Sequence, residues 1–138
     1  MPQDVEELWC MTLGPSLNLL DIKMIFRGTI DACIAHPRDI FRYACVKNAT
    51  QLIIAHNHPS GDPTPSKQDL EFTRKLIKVG IMIEIPVVDH LIVTKKNYFS
   101  LAESGLLDFG VHNSRGTEPS VASRTDFEFL NACDFDSK

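Results

Sequence analysis

The sequence predicts an α/β sandwich formed by one module spanning about residues 4–108. Three observations lead there. The continuous apolar run "QLIIA" (51–55) follows a helical stretch and reads as a buried strand, central in a sheet. Apolar positions recur at helical spacing in 36–48 and again in 67–79. Shorter apolar segments, separated by Gly, Pro and polar turns, supply further strands.

Taken in order, "ELWCMTL" (7–13) reads as a strand, "GPS" (14–16) as a turn and "LLDIKMIF" (19–26) as a second strand closing a hairpin. Gly28 precedes a third strand, "TIDACIA" (29–35). "HPRDIFRYACVKN" (36–48) reads as a helix: Pro37 suits a first helical position, Asp39 the positive end and Lys47 the negative end. Its stripe is Ile40, Phe41, Ala44 and Cys45. The helix over 67–79 has a core face of Leu70, Thr73, Leu76 and Ile77, with Lys75 and Lys78 in its last turns and Gly80 as its stop. "IMIEI" (81–85) and "HLIVT" (90–94) are expected as strands separated by "PVVD". "SLAESG" (100–105) reads as a short helical turn, with Ser100 and Glu103 at capping-box spacing.

From about Asp108 the texture changes. "NSRGTEPSVASR" (113–124) is polar and aperiodic, so residues 109–138 are expected to be a poorly ordered tail. "FEFLNACDF" (127–135) leaves open a docked strand, a short helix or neither.

Bulk properties narrow the function. A length of 138 residues, 43% of them hydrophobic and 23% charged, fits one soluble globular domain. Nothing approaches the ~20-residue apolar run of a membrane helix. The start "MPQDVEELW" is acidic rather than basic, which argues against a secretory signal, so a cytoplasmic protein without a membrane partner is expected. The net charge of −4 argues against a protein that coats nucleic acid, though it allows a local basic patch. Cys10, Cys33, Cys45 and Cys133 are scattered, with no CxxC pair, and are expected to be free, structural thiols.

The chemistry concentrates in "LIIAHNHPSGDPTPSKQDL" (52–70). His56 and His58 end a predicted strand, and residues two apart in extended chain point to one side. Pro59, Pro63 and Pro65 each fix φ, and Ser60-Gly61 permits a sharp turn. The loop delivers Asp69 on the first turn of a helix. Two imidazoles and one carboxylate suit a tetrahedral zinc with one open position. Such an ion keeps a net charge of about +1, which can lower the pKa of bound water to ~7 and polarise a carbonyl. The bland alternative is a strand, a turn and a capped helix, because Ser66 followed by Asp69 is also an N-cap with an acidic third residue. Both roles can coexist.

The pattern "HNHPSGDPTPSKQD", an H-x-H-x7-S-x2-D string, resembles the JAMM motif of MPN-domain metalloproteases. With "FRGT" and "HPRD" upstream and "DHLIV" downstream, the chain resembles the RadC family of bacteria from about Val5 to Leu107. That resemblance implies a cytidine-deaminase-like, three-layer α/β/α sandwich, the JAB/MPN domain, holding one Zn2+. It makes His56, His58 and Asp69 the metal ligands and Ser66 the residue that steadies the oxyanion. It also calls for a glutamate on an early strand, for which Glu6 and Glu7 are candidates. Counting back from Gly28 and Leu13, Glu6 keeps the family's spacing. The implied activity is metal-assisted hydrolysis of a peptide or isopeptide bond, with Glu6 as general base and a peptide or protein of unknown identity as substrate.

His90 in "DHLIV" matches a family segment and is expected either to orient a metal ligand or to be a hydrogen-bonded structural histidine. Arg38 in "HPRD" is expected to be structural. Full-length members of the family carry an N-terminal helix-hairpin-helix region associated with DNA binding. This chain begins almost at Glu6, so a catalytic-type domain alone is expected, either truncated or naturally short, with nucleic-acid contact left to such a region. The rival reading is a non-catalytic module, DNA-repair-associated or protein-interacting, that retains the metal site. A zinc nucleobase deaminase is disfavoured because the H-x-E and P-C-x-x-C signature is absent. A two-metal nuclease is disfavoured by the lack of a suitable carboxylate cluster. A homo-oligomer through an unpaired edge strand stays open.

Overall fold

The chain opens with the antiparallel hairpin that its N-terminal pattern predicts: β1 (Val5–Leu13) pairs with β2 (Leu19–Thr29). The computed structural model describes residues 5–29 and 35–107. The connection folds back as Gly14 N–H donates to the Asn18 carbonyl at 2.8 Å. β2 runs through Gly28 and ends at Thr29, opposite Val5. Thr29 therefore belongs to β2, and the rest of the strand expected over 29–35 falls at residues 30–34, outside the described residues.

Next come α1 (Pro37–Val46), β3 (Gln51–Asn57), α2 (Lys67–Met82), β4 (Val87–Val93) and β5 (Tyr98–Ser100). The sheet order is β2-β1-β3-β4-β5, which puts β3 at the centre, as its unbroken apolar run predicts. Among the described strands, only the β3–β4 pair is parallel. That follows from the β3-α2-β4 connection: parallel neighbours need a crossover, and here the crossover is a helix.

Side-chain alternation divides the core in two. Leu8, Cys10, Leu52 and Ile54 pack with Ile40, Phe41, Tyr43 and Ala44 of α1 and Leu76 of α2. Met11, Leu13, Ile53 and Ala55 face the other way and cluster with Val88, Leu91 and Val93. Both described helices thus cover one face of a five-stranded sheet. The architecture is mixed α/β and consistent with a JAB/MPN-type domain, and among the described residues it has two layers. The expected tail, 109–138, lies outside the described residues.

Several expected boundaries move. Gly80 does not stop α2; the helix continues to Met82. A β-carbon at Gly80 would stand 2.6 Å from the Ile85 carbonyl oxygen, so this glycine admits a close backbone approach. The stop is a Schellman turn at Glu84, which takes φ of 58° while Ile85 N–H returns to the Gly80 carbonyl at 2.9 Å. Ile81 and Met82 are consequently helical, and no strand forms at 81–85. Val87–Asp89, expected as a spacer, begins β4, and β5 is a short edge strand that the pattern did not reveal. Lys75 and Lys78 fall short of the last turn of α2, which holds no basic residue. Cys45, expected on the core stripe of α1, is an exposed free thiol, whereas Cys10 is buried and free. No helix among the described residues is long and apolar enough to cross a membrane.

Candidate metal centre

The expected ligands converge. His56 is the penultimate residue of β3, and the backbone of His58 is tied to β4 where its N–H donates to Val93 O at 3.0 Å. The loop beyond is held by short-range bonds: Gly61 N–H to His58 O at 3.1 Å, Asp62 N–H to Ser60 Oγ at 3.3 Å and Thr64 N–H to Asp62 Oδ1 at 2.9 Å. Gly61 takes φ of 86°, where a side chain would be strained. The loop enters α2 through a complete capping box. Asp69 N–H donates to Ser66 Oγ at 3.1 Å, and Ser66 N–H donates to Asp69 Oδ2 at 2.7 Å. The capping role is met, and the capping carboxylate also faces the histidines.

Ligand atoms of His56, His58 and Asp69 all lie within 4.8 Å of one another. His56 Nε2 stands 3.2 Å from Asp69 Oδ1, and His58 Nε2 stands 3.1 Å from Asp69 Oδ2. The two Nε2 atoms are 2.9 Å apart. Ligand atoms around a tetrahedral zinc, with Zn–N near 2.0–2.1 Å, are separated by about 3.3 Å.

Hydrogen-bond partners settle which ring nitrogens are bare. The Asp62 carbonyl can only accept, so His58 Nδ1–H donates to it at 2.9 Å and Nε2 keeps its lone pair. Thr73 Oγ1–H donates to the Asp69 carbonyl at 2.7 Å, so its oxygen accepts from His90 Nδ1–H at 2.5 Å. His90 Nε2 then accepts from His56 Nδ1–H at 2.7 Å, which leaves His56 Nε2 bare as well. Two lone pairs and a carboxylate point at one spot. Only a positive charge makes that arrangement favourable. A proton can join two of these atoms; a divalent ion joins all three, so the donor set fits a metal.

The electrostatics agree. The Asp69 carboxylate, as acceptor for a proton on His58 Nε2, raises the pKa of His58, with burial opposing it and Glu6 adding to the rise. Burial disfavours the charge on Asp69, yet where a proton on the histidines takes the place of an ion, the N–H groups of His56 and His58 hold that carboxyl well below the usual range. His90 is 1% exposed, and burial, reinforced by His56, pushes its pKa well down, so the ring is neutral as the hydrogen-bond chain requires. His90 is hydrogen-bonded within the core, and the ring that it holds is that of His56, one of the three candidate ligands.

Asp89 anchors that ring's backbone. It is fully buried and accepts from His90 N–H at 2.7 Å, Ala102 N–H at 3.0 Å and Ser100 Oγ–H at 2.5 Å. Burial raises its pKa against those bonds. Ser100 also accepts from Glu103 N–H at 3.0 Å, the expected capping contact.

The two candidate glutamates part company. Residues 6, 8 and 10 of β1 share the helix-covered face with His56, and Leu8 pairs with His56 in the ladder. Glu6 lines a cleft of about 740 Å3 together with His56, His58, Ser66 and Asp69. Glu7 touches that cleft as well, but its carboxylate is engaged: Trp9 Nε1–H donates to it at 3.2 Å, and Arg27 Nε lies 3.5 Å away. Leu8, Ala35, Pro59 and Phe72 add apolar patches to an otherwise polar lining.

Sequence reading missed the part played by Thr73, which it placed only on a core face. The available signal was a hydroxyl four residues after Asp69 on an otherwise apolar stripe. Arg38 lies at the exposed start of α1, and His36 is the N-cap there without a side-chain cap bond.

Comparison with known proteins accords with this geometry. Residues 1–106 match the model of the RadC-like JAB domain. A UPF0758 protein of Symbiobacterium thermophilum is 43% identical over 103 residues, covering 75% of this chain and 44% of that protein. The UPF0758 protein YsxA of Bacillus subtilis is 40% identical over 102 residues, or 74% of this chain and 44% of YsxA. A UPF0758 protein of Enterococcus faecalis is 43% identical over 98 residues, or 71% and 42% of the two chains. The chain therefore spans less than half the length of these curated relatives. With the family model matched across the hairpin, the histidine loop and the sheet to residue 106, this chain belongs to the RadC-like JAB domain family.

Proposed function

We propose that the chain is a JAMM-type metallohydrolase, with Zn2+ held by His56, His58 and Asp69, that cleaves a peptide or isopeptide bond in a protein substrate. The observation that carries the reading is the convergence of two bare Nε2 atoms and a carboxylate at the wall of a cleft that Glu6 also lines. An ion held there supplies Lewis acidity, lowering the pKa of a bound water and polarising the scissile carbonyl. The residues do the rest. Glu6 takes a proton from the attacking water and returns it to the departing amine. Ser66 Oγ spends a lone pair on the helix cap, so its hydrogen is the part left to donate to the developing oxyanion. A cleft that sets Glu6, Glu7 and Asp69 beside the apolar Leu8, Ala35, Pro59 and Phe72 favours an extended peptide over a highly anionic substrate.

Two further features belong to this reading. A cytoplasmic setting is supported by the free thiols of Cys10 and Cys45. A third layer completing the α/β/α sandwich is supported by the burial of Met11, Ile53 and Ala55 on the face that neither described helix covers. Metal content measured beside hydrolysis of peptide and lysine-isopeptide reporters tests the function. Glu6→Gln should retain metal and lose whatever hydrolysis the wild type shows. If Glu7→Gln abolishes activity and Glu6→Gln does not, the base is misassigned. Metal-loaded protein that cleaves no reporter would favour the non-catalytic module, whether it serves DNA repair or protein interaction.

A further inference from the structure

Asn57 sits between the two histidines, is 3% exposed and makes no contact with the proposed ligand atoms among its recorded bonds. Its side chain reaches across to β1. Oδ1 accepts from Glu7 N–H at 2.6 Å, and Nδ2–H donates to the Val5 carbonyl at 2.9 Å. Those two groups flank Glu6. The backbone ladder between β1 and β3 ends at Leu8–His56, so beyond that pair the main chains of Val5 and Glu7 have no β3 partner in the ladder. A strand that parts from its neighbour leaves N–H and C=O groups that must be satisfied elsewhere. One primary amide offers an acceptor and a donor in a single plane, the same pair that a strand backbone presents. Serine and threonine have one polar atom, and aspartate has no donor.

We infer that Asn57 is a positioning residue that stands in for the missing rungs of the ladder and thereby fixes where Glu6 projects into the cleft. The inference rests on the metal site and on Glu6 as its proton acceptor. Asn57 acts on the base and leaves the ligands alone. It also gives the tripeptide His56-Asn57-His58 a division of labour: the outer residues bind the ion, and the middle one aims the acid that works beside it.

The test uses full-length protein loaded with Co2+, a paramagnetic stand-in for zinc. Three readings are taken: the pseudocontact shift of the Glu6 carboxyl carbon, the bound Co2+, and amide exchange at Glu7, Ile53 and Ile54. In Asn57→Ala, Co2+ should still bind at one equivalent and Ile53 and Ile54 should keep their protection. Glu7 N–H should exchange about tenfold faster, as expected for the loss of a buried hydrogen bond. The Glu6 shift should collapse toward zero as its carboxylate samples many positions. Asn57→Asp keeps the acceptor and loses the donor, so Glu7 protection should persist while the Glu6 shift falls part-way; this variant carries the test if the alanine variant fails to fold. An unchanged Glu6 shift in a variant that binds Co2+ normally would overturn the role of Asn57 while leaving the metal centre intact. Wild-type protein that takes up no Co2+ would instead remove the metal centre, and this inference with it.

Discussion

The two halves of β3 follow different rules. At the far end, Leu52, Ile53 and Ile54 are each 2% exposed or less and are held by packing, with β1 laddered on one side and β4 on the other. At the near end, His56 and Asn57 are almost as buried, at 8% and 3%, yet they are held by directed hydrogen bonds to side chains and strand backbone. Packing tolerates small shifts, whereas a chain of donors and acceptors fails if one member is reversed. The difference teaches where function can be built: β3 stays laddered to β4 throughout, and its ladder with β1 opens at the end where a polar network replaces it.

The comparison can be broken by substitutions that ought to affect one end and spare the other. The largest effect belongs to the far end. Leu52→Ala removes a fully buried side chain and should cost about 2–5 kcal/mol of stability. Zinc stoichiometry of the folded protein should not change, as urea unfolding and metal analysis would show. At the near end, His90→Ala takes away the acceptor for His56 Nδ1–H and should weaken zinc binding by about 10–100-fold, measured by competition with a chromophoric chelator. Thr73→Val keeps the shape and removes one link, so it should weaken zinc binding in the same direction by less, about 10-fold or under. Equal losses of zinc affinity in the Leu52 and His90 variants would erase the distinction between the ends.

A smaller effect depends on pH. Burial raises the folded pKa of Asp89 above its unfolded value, so the stability associated with its neutral form is full below the unfolded pKa of about 3.9 and is lost as pH rises through the folded value. Asp89→Asn removes that titration. Metal-free variant should therefore lose less stability than wild type as pH rises from about 4 toward neutrality, with urea midpoints as the readout. The smallest perturbation concerns the thiols. Burial pushes Cys10 up to about 12, so brief alkylation of the native protein at pH 8 should label Cys45 and spare Cys10, as peptide mass spectrometry would resolve.

What the sequence made legible follows the same divide. The clustering of His56, His58 and Asp69 was readable because strand geometry puts residues two apart on one side and a capping box fixes the start of a helix; both are local rules. The preference for Glu6 over Glu7 came from the spacing of the family that the chain resembles, and the alternation of β1 places Glu6 on the face of His56. Long-range consequences were hidden. Gly80 looks like a helix stop, and only the approach of the Ile85 backbone reveals it as a packing residue. Val87 and Val88 look like a spacer after Pro86 because nothing local shows that β3 lies beside them. Thr73 reads as an ordinary core residue and nothing local singles out Asn57, since His90 lies 17 positions from Thr73 and the partners of Asn57 lie about 50 positions away.

The central claim is that His56, His58 and Asp69 grip one divalent ion, and elemental analysis of purified protein after exposure to equimolar Zn2+ tests it most directly. The account predicts one zinc per chain in the wild type and essentially none in His58→Ala and Asp69→Ala, with both variants still folded. A wild type that retains no zinc, or an Asp69→Ala variant that retains it in full, would contradict the account.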